Sequence, residues 1–201
     1  MTSISIKVWS DYVCPWCYIG LGELQRVAGD YPLQIDWQPY LLRPDAPEEG
    51  WELPERFKAS HDDPNSPINQ RAKTLGLPLK GRSRIPNSRR AHECTEYARA
   101  HGKEQAFHDS LIARYWGQGE DLHDWQVLQA AARDASLDGE AMQREVEDGR
   151  WKDAVEARIG AAQQLGVSAV PTFLIADTFV IQGAQDAGVF RQAFERLKRG
   201  L

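Results

Sequence analysis

Two cysteines stand three positions apart in Cys14-Pro15-Trp16-Cys17, a type and spacing suited to dithiol–disulfide exchange. A thiolate attacks a disulfide and a thiol does not, so the chemistry needs a place that lowers the pKa of one sulfur. A second sulfur must then attack the mixed disulfide and release the reduced substrate. Cys14 is expected to attack. Cys17, one helical turn further and facing inward, is expected to resolve. Two other chemistries share the spacing. Half of a structural zinc site has this pattern, but it needs two further ligands, and the third cysteine, Cys94, is alone with His92 nearby. No metal is therefore expected. A permanent bridge here would close a loop too short to constrain much of the unfolded chain.

The elements around the motif explain why Cys14 is favoured. Ile4, Ile6 and Val8 alternate with polar residues, the period of a half-buried strand ending near Trp9. From Cys17 the apolar positions change to helical spacing, through Leu21, Leu24 and Ala28. Cys14 thus sits where a strand meets a helix start. Unpaired N–H groups and the helix dipole favour negative charge there, and Pro15 suits the first helical position. Leu33, Ile35 and Trp37 alternate as a second strand. Pro39 to Pro86 carries eight of the eleven prolines and reads as a long irregular connection, with a short helix expected around Glu55 to Ala59. Asn87 or Ser88 is expected to cap a helix whose Ala91, Cys94, Ala98 and His101 share a face, and helical spacing continues to Leu165. Gly166 is the expected C-terminal stop. Phe173-Leu174-Ile175 and Phe179-Val180-Ile181 read as a hairpin, followed by a helix with Phe190, Phe194 and Leu197 inward.

Composition bounds the function. The 201 residues, 42% hydrophobic and 26% charged, suffice for one globular unit with a sizeable core. A net charge of −5 argues against nucleic acid as an obligate partner. Met1 to Lys7 shows no basic segment followed by an apolar core, so no secretory leader and no membrane role are expected. The cytoplasm, a thiol-reducing compartment, is the expected location.

Val170-Pro171-Thr172-Phe173 supplies a second signal, because a proline directly before a core strand has no ladder donor to lose. Together with Cys14-Pro15-Trp16-Cys17 it resembles the thioredoxin fold's pairing of a redox dithiol with a cis-proline loop. With the helical block it resembles the DsbA-like superfamily. The runs Ser10 to Gly20, Asn87 to His92 and Gly166 to Phe173, with Gly183-Ala184-Gln185, are similar to its FrnE-like branch of thiol oxidoreductases. The same superfamily includes 2-hydroxychromene-2-carboxylate isomerases and kappa-class glutathione transferases, which generally carry Ser where Cys14 stands.

The resemblance implies an α/β, thioredoxin-like fold with a large all-helical insertion. Residues 1–40 and 166–201 would form the thioredoxin-like part, and 41–165 the irregular connection and the insertion. It implies a thiol–disulfide oxidoreductase acting on protein or small-molecule thiols or disulfides, with no tightly bound cofactor and glutathione as a candidate co-substrate. The alternative is a glutathione-dependent isomerase or transferase acting on a small aromatic substrate; a third reading is a non-catalytic binding protein. Pro15 and Trp16 would line the substrate site, and the Val170 backbone beside a cis Pro171 would make a strand-like contact with substrate or with the cysteinyl part of glutathione. Gly183 to Asp186 would hold a γ-glutamyl group, although Asp186 reads equally as a helix cap. Trp16 stands where a DsbA-type site often has His, so Cys14 would depend on helix-terminal N–H groups and the couple would be less oxidising. Cys94 reads as a buried small hydrophobe. Lys80, Arg82, Arg84, Arg89 and Arg90 read as a solvated run with a carboxylate-binding alternative. His61, His101, His108 and His123 read as structural. The oligomeric state is left open, with an exposed face of the helical block as the surface a homodimer would use.

Overall fold

A computed structural model describes residues 3–48 and 50–200. Met1, Thr2, Glu49 and Leu201 lie outside the described residues, and with them the first two positions of the N-terminal run read for a leader. Among the described residues no helix is long and apolar enough to cross a membrane.

The first strand, β1 (Ile4–Ser10), leads through Cys14 into helix α1 (Pro15–Ala28) and back to β2 (Leu33–Pro39). β1 and β2 are parallel, with Ile6 opposite Ile35 and Val8 opposite Trp37. Parallel neighbours need a crossover, and α1 supplies it. β5 (Thr172–Ile175) pairs antiparallel with β1, placing Phe173 opposite Val8, and β6 (Phe179–Gln182) completes a four-stranded sheet of order β2-β1-β5-β6. The last helix, α9 (Ala187–Lys198), packs beside α1. This mixed sheet with its flanking helices is the thioredoxin-like arrangement expected from the strand and helix periods.

Between β2 and β5 the chain is mostly helical. A two-stranded ribbon joins β3 (Trp51–Glu52) to β4 (Arg84–Ile85) and encloses α2 (Glu55–Asp62) and α3 (Pro67–Leu75). α2 extends the short helix expected at Glu55 to Ala59. α3 corrects the reading of that stretch as irregular. Its start is a Ser-Pro pair: the Ser66 hydroxyl accepts from Asn69 N–H, Pro67 opens the first turn, and Gly76 at φ +67° ends it. Beyond it come α4 (Arg89–Ala100), α5 (Glu104–Ala113), a π-helical turn at Arg114–Gln118, α6 (Trp125–Asp134), α7 (Gly139–Glu147) and α8 (Lys152–Gln164). At the start of α4 the Asn87 carboxamide oxygen accepts from Arg89 N–H at 2.9 Å, so the cap falls to Asn87 rather than Ser88. His101 lies exposed just beyond the helix end instead of sharing the buried face of Ala91, Cys94 and Ala98. α8 stops as expected, with Gly166 at φ +74° and Val167 N–H reaching back to Ala162 O.

A single apolar cluster crosses from sheet to helices. It joins Val8, Trp37 and Phe173 of the sheet to Phe190 and Phe194 of α9, and to Leu111, Trp116 and Leu128 of the helical block. The helices therefore share a core with the strands. α1 is buried on nearly every side from Cys17 to Leu24, including Glu23, which is only 2% exposed. Its carboxylate accepts from Arg71 Nη2 of α3 at 2.6 Å and from Ala187 N–H, the first residue of α9, at 3.0 Å. One acid thus binds three helices and satisfies an orphan donor at a helix start. Glu23→Ala would leave both partners without it. Arg71 keeps 31% of its side chain exposed, so the expected loss is about 2–3 kcal/mol, somewhat below that of breaking a fully buried pair. Urea unfolding of the variant measures it, and a loss below about 1 kcal/mol would contradict this role.

Candidate active site

β1 ends and α1 begins within four residues, and this junction shapes the dithiol. Cys14 occupies the N-cap position of α1 with extended backbone angles, and Pro15 stands in the first turn. Cys14 N–H donates to Asp11 O at 3.0 Å, while Cys14 O accepts from Cys17 N–H at 3.1 Å. The two sulfurs therefore meet on one turn. All three cysteines are free thiols. Cys14 is 5% exposed and Cys17 3%, while Trp16 between them is 39% exposed. Trp16 is thus the residue of the motif most open to solvent.

The thiols are not equivalent. Burial pushes the Cys17 pKa well up, and a hydrogen bond from its thiol to Cys14 pushes it further, against smaller opposing effects of the Ser10 hydroxyl and Asp11 N–H. Cys94 is fully buried on α4 and its pKa is also raised by desolvation, as suits a small core residue.

Across from the dithiol runs the loop before β5. The Val170–Pro171 peptide bond is cis, and the Val170 carbonyl oxygen lies 3.8 Å from Cys14 Sγ. Gly20 of α1 makes this approach possible. A Cβ there would stand 2.9 Å from Pro171 Cγ and 3.2 Å from Phe173 Cζ, both parts of rings with little freedom to yield. The Thr172 hydroxyl donates to Ala169 O at 2.7 Å and fixes the loop from below.

The residues expected at the γ-glutamyl position are largely occupied. Gly183 N–H donates to Pro171 O at 2.7 Å, and Gln185 N–H donates to Gly183 O at 2.9 Å. The Asp186 carboxylate does not cap α9, because Glu23 already does; it faces Arg71 Nη2 at 3.1 Å and is largely exposed. A bound carboxylate would therefore meet the exposed Asp186 and Arg71 together. The basic run likewise spreads into fold contacts. Arg82 donates to Glu120 O and covers the Tyr115 ring, Arg84 donates to Gly50 O, Arg89 pairs with Glu156, and Arg90 donates to His123 O. It does not converge on the dithiol. His61 packs edge-on against Trp116, His101 Nδ1 lies 2.8 Å from Tyr97 O, and His123 O accepts from Arg90.

Sequence reasoning gave no role to Asp11 or to His92 beyond metal binding. Asp11 has no exposed surface; its carboxylate accepts from Val13 N–H at 3.3 Å and from Leu42 N–H at 2.7 Å. His92 of α4 places Nε2 3.7 Å from the same carboxylate. An aspartate between an apolar strand and the dithiol was the available signal. The π-helical turn also reaches here, through Trp116 Nε1 donating to Tyr12 O at 2.8 Å. Among the described residues no group of three or more His, Cys, Asp or Glu could hold a metal ion.

A profile of the DSBA-like thioredoxin domain matches residues 5–195. The chain belongs to that family. Solved structures similar to this DSBA-like chain include the probable DsbA oxidoreductase SCO1869 from Streptomyces coelicolor, at 24% identity and a TM-score of 0.83 over 94% of this chain and 88% of that one. A 2-hydroxychromene-2-carboxylate isomerase is similar at 19% identity and a TM-score of 0.74, covering 98% and 97%. The cytosolic disulfide reductase DsbM from Pseudomonas aeruginosa, solved with GSH, is similar at 16% identity and a TM-score of 0.68, covering 98% and 100%. At these identities the likenesses establish a shared DsbA-like thioredoxin fold.

The asymmetry of the thiols in this DSBA-like domain has a direct consequence. With Cys17 and Cys94 buried and their pKa values raised, iodoacetamide near pH 7 should label the reduced protein once, at Cys14. Cys17 should follow only under alkaline conditions, since a raised pKa keeps it a thiol to higher pH. Peptide mapping by mass spectrometry reads this out, and labelling of Cys17 as fast as Cys14 would contradict it.

Proposed function

We propose that this protein is a dithiol–disulfide oxidoreductase in which Cys14 attacks and Cys17 resolves. The observation that carries the reading is the placement of Cys14 at the head of α1, one turn from Cys17 and facing the Val170 carbonyl. In the reducing direction Cys14 thiolate attacks a substrate disulfide and displaces one substrate thiolate. Cys17 then attacks Cys14 in the mixed disulfide, so the protein dithiol is oxidised and the substrate gains two electrons and, with protons, two thiols. Exposed Trp16 and the Val170–Pro171 backbone would hold an extended thiol or disulfide substrate beside Cys14.

Glutathione is the co-substrate this reading favours, supported by the fold shared with a disulfide reductase solved with GSH. Gly183 and Asp186 would then act with Arg71 at the far end of the ligand. The reading assigns chemistry to residues 1–40 and 166–201, substrate selection to 41–165, and a cytoplasmic location. Cys14→Ser should abolish insulin or small-disulfide reduction, lowering turnover by at least about 10³-fold, the usual loss on removing a covalent nucleophile. Cys17→Ser should accumulate a Cys14 mixed disulfide, visible as a mass adduct. Unchanged turnover in Cys14→Ser would remove the mechanism. A second reading, a glutathione-dependent isomerase, draws on the fold shared with the hydroxychromene carboxylate isomerase. Glutathione-dependent isomerisation of an aromatic substrate that survives Cys17→Ser would favour it instead.

A further inference from the structure

Helix α4 carries a buried acid that the dithiol chemistry does not use. Glu93 is only 9% exposed, and among the described residues its carboxylate makes no hydrogen bond and no ion pair. Burial pushes its pKa up, against the opposing influence of Arg89, Lys152 and Arg90. Buried carboxylates are ordinarily paired or hydrogen-bonded, so an unpaired one calls for an explanation. Glu93 lines a cavity of about 340 Å³, bounded by the starts of α4 and α6 and the end of α7. That volume falls within the range of small-molecule sites. Among the described residues, none that lines it belongs to the dithiol or to the Val170–Pro171 loop.

The charges around the cavity decide what it would take. Arg89 pairs with Glu156 of α8, outside the cavity. Arg90 donates to His123 O at 3.0 Å, lies over the Trp125 ring and faces Glu48 at 3.7 Å. Both guanidiniums are therefore held by protein partners. Lys152 acts on Glu93 from the exposed start of α8 without coming within ion-pair distance. Glu147 is exposed at the end of α7, and its hydrogen bond comes from the neutral Gln143 carboxamide at 2.9 Å. An inner and an outer carboxylate thus line the cavity without a cationic partner among the described residues. Val146 and the Trp125 ring supply its apolar wall.

We infer that this cavity binds a small aliphatic diamine, with one ammonium on Glu93, the methylene stem along Val146 and Trp125, and the second ammonium at Glu147. An ammonium brings three donors and no acceptor, which suits a carboxylate whose acceptor sites are open. The bond it makes is charge-assisted, and in a partly enclosed site it is stronger than in water. A monoamine of the same length would satisfy Glu93 and leave Glu147 unmatched. A dicarboxylate would set like charge against both acids.

Isothermal titration calorimetry of the full chain in low-salt buffer tests this, with 1,5-diaminopentane as the probe. One diamine should bind per chain with a Kd below about 1 mM. Pentylamine should bind several-fold more weakly, and glutarate, of similar length and opposite charge, should not bind. Glu93→Gln keeps the side-chain volume and removes the charge, and should weaken diamine binding at least about tenfold, the scale of one hydrogen bond to a charged group. Glu147→Gln should weaken the diamine to the level of pentylamine, and this surface variant carries the test should Glu93→Gln not fold. The inference would be overturned by no saturable diamine binding, or by pentylamine or glutarate binding as tightly as the diamine. Diamine affinity within about twofold of wild type in either folded variant would overturn it equally.

Discussion

A carboxylate with no access to water must find its hydrogen bonds in the protein, and Asp11 finds them at the point where this fold is assembled. Its oxygens take the N–H of Val13, just before the dithiol, and of Leu42, just beyond β2, and face His92 of the helical block. Its own carbonyl receives Cys14 N–H. Two distant stretches, at Leu42 and at His92, thus meet the dithiol loop at one residue. A half-satisfied buried network costs more than an apolar core, whereas a satisfied one fixes a single arrangement. The conformation of the Cys14 loop is therefore set by groups outside the motif.

Glu23 does comparable work on the other side of α1. By joining Arg71 of α3 to the first N–H of α9, it holds the C-terminal segment against the helix that bears the dithiol. Gly20 lets that helix approach the Pro171 ring more closely than any side chain would permit. Two acids and one missing Cβ on a short stretch of chain bring Cys14 and the Val170 carbonyl together across 156 residues of sequence.

β1, β2, α1 and the final helix were legible because their apolar residues repeat with period two or near 3.6, and the hairpin because two short apolar runs flank a polar turn, whereas β3 and β4 lie in the stretch that reads as irregular. The dithiol and Val170-Pro171 were legible because cysteine pairs and a proline before a strand are rare and chemically specific. Asp11, Glu23 and His92 were not, since a polar residue in sequence carries no mark of being buried. Their partners, Leu42, Arg71 and Asp11 respectively, are set by tertiary packing rather than by spacing. Helix α3 was hidden by the prolines of its stretch, although Ser66-Pro67 and Gly76 carry an ordinary start and stop. The γ-glutamyl expectation at Gly183 met a different obstacle: a glycine N–H suited to a ligand was already bonded to Pro171 O.

The helical block is more than an attachment to a redox sheet. Trp37 of β2 stacks on His108 of α5, and Trp116 of the π-helical turn donates to Tyr12 beside the dithiol. The Tyr12 hydroxyl meets Thr95 of α4 at 2.6 Å. The two Tyr12 contacts tie the loop before the dithiol to the helical block, and the Trp37 contact ties β2 to it. Interiors pack densely and shift between discrete arrangements rather than deforming smoothly. A shift of these helices would therefore carry the loop that bears Cys14 with it, so the block is part of what holds that loop in place.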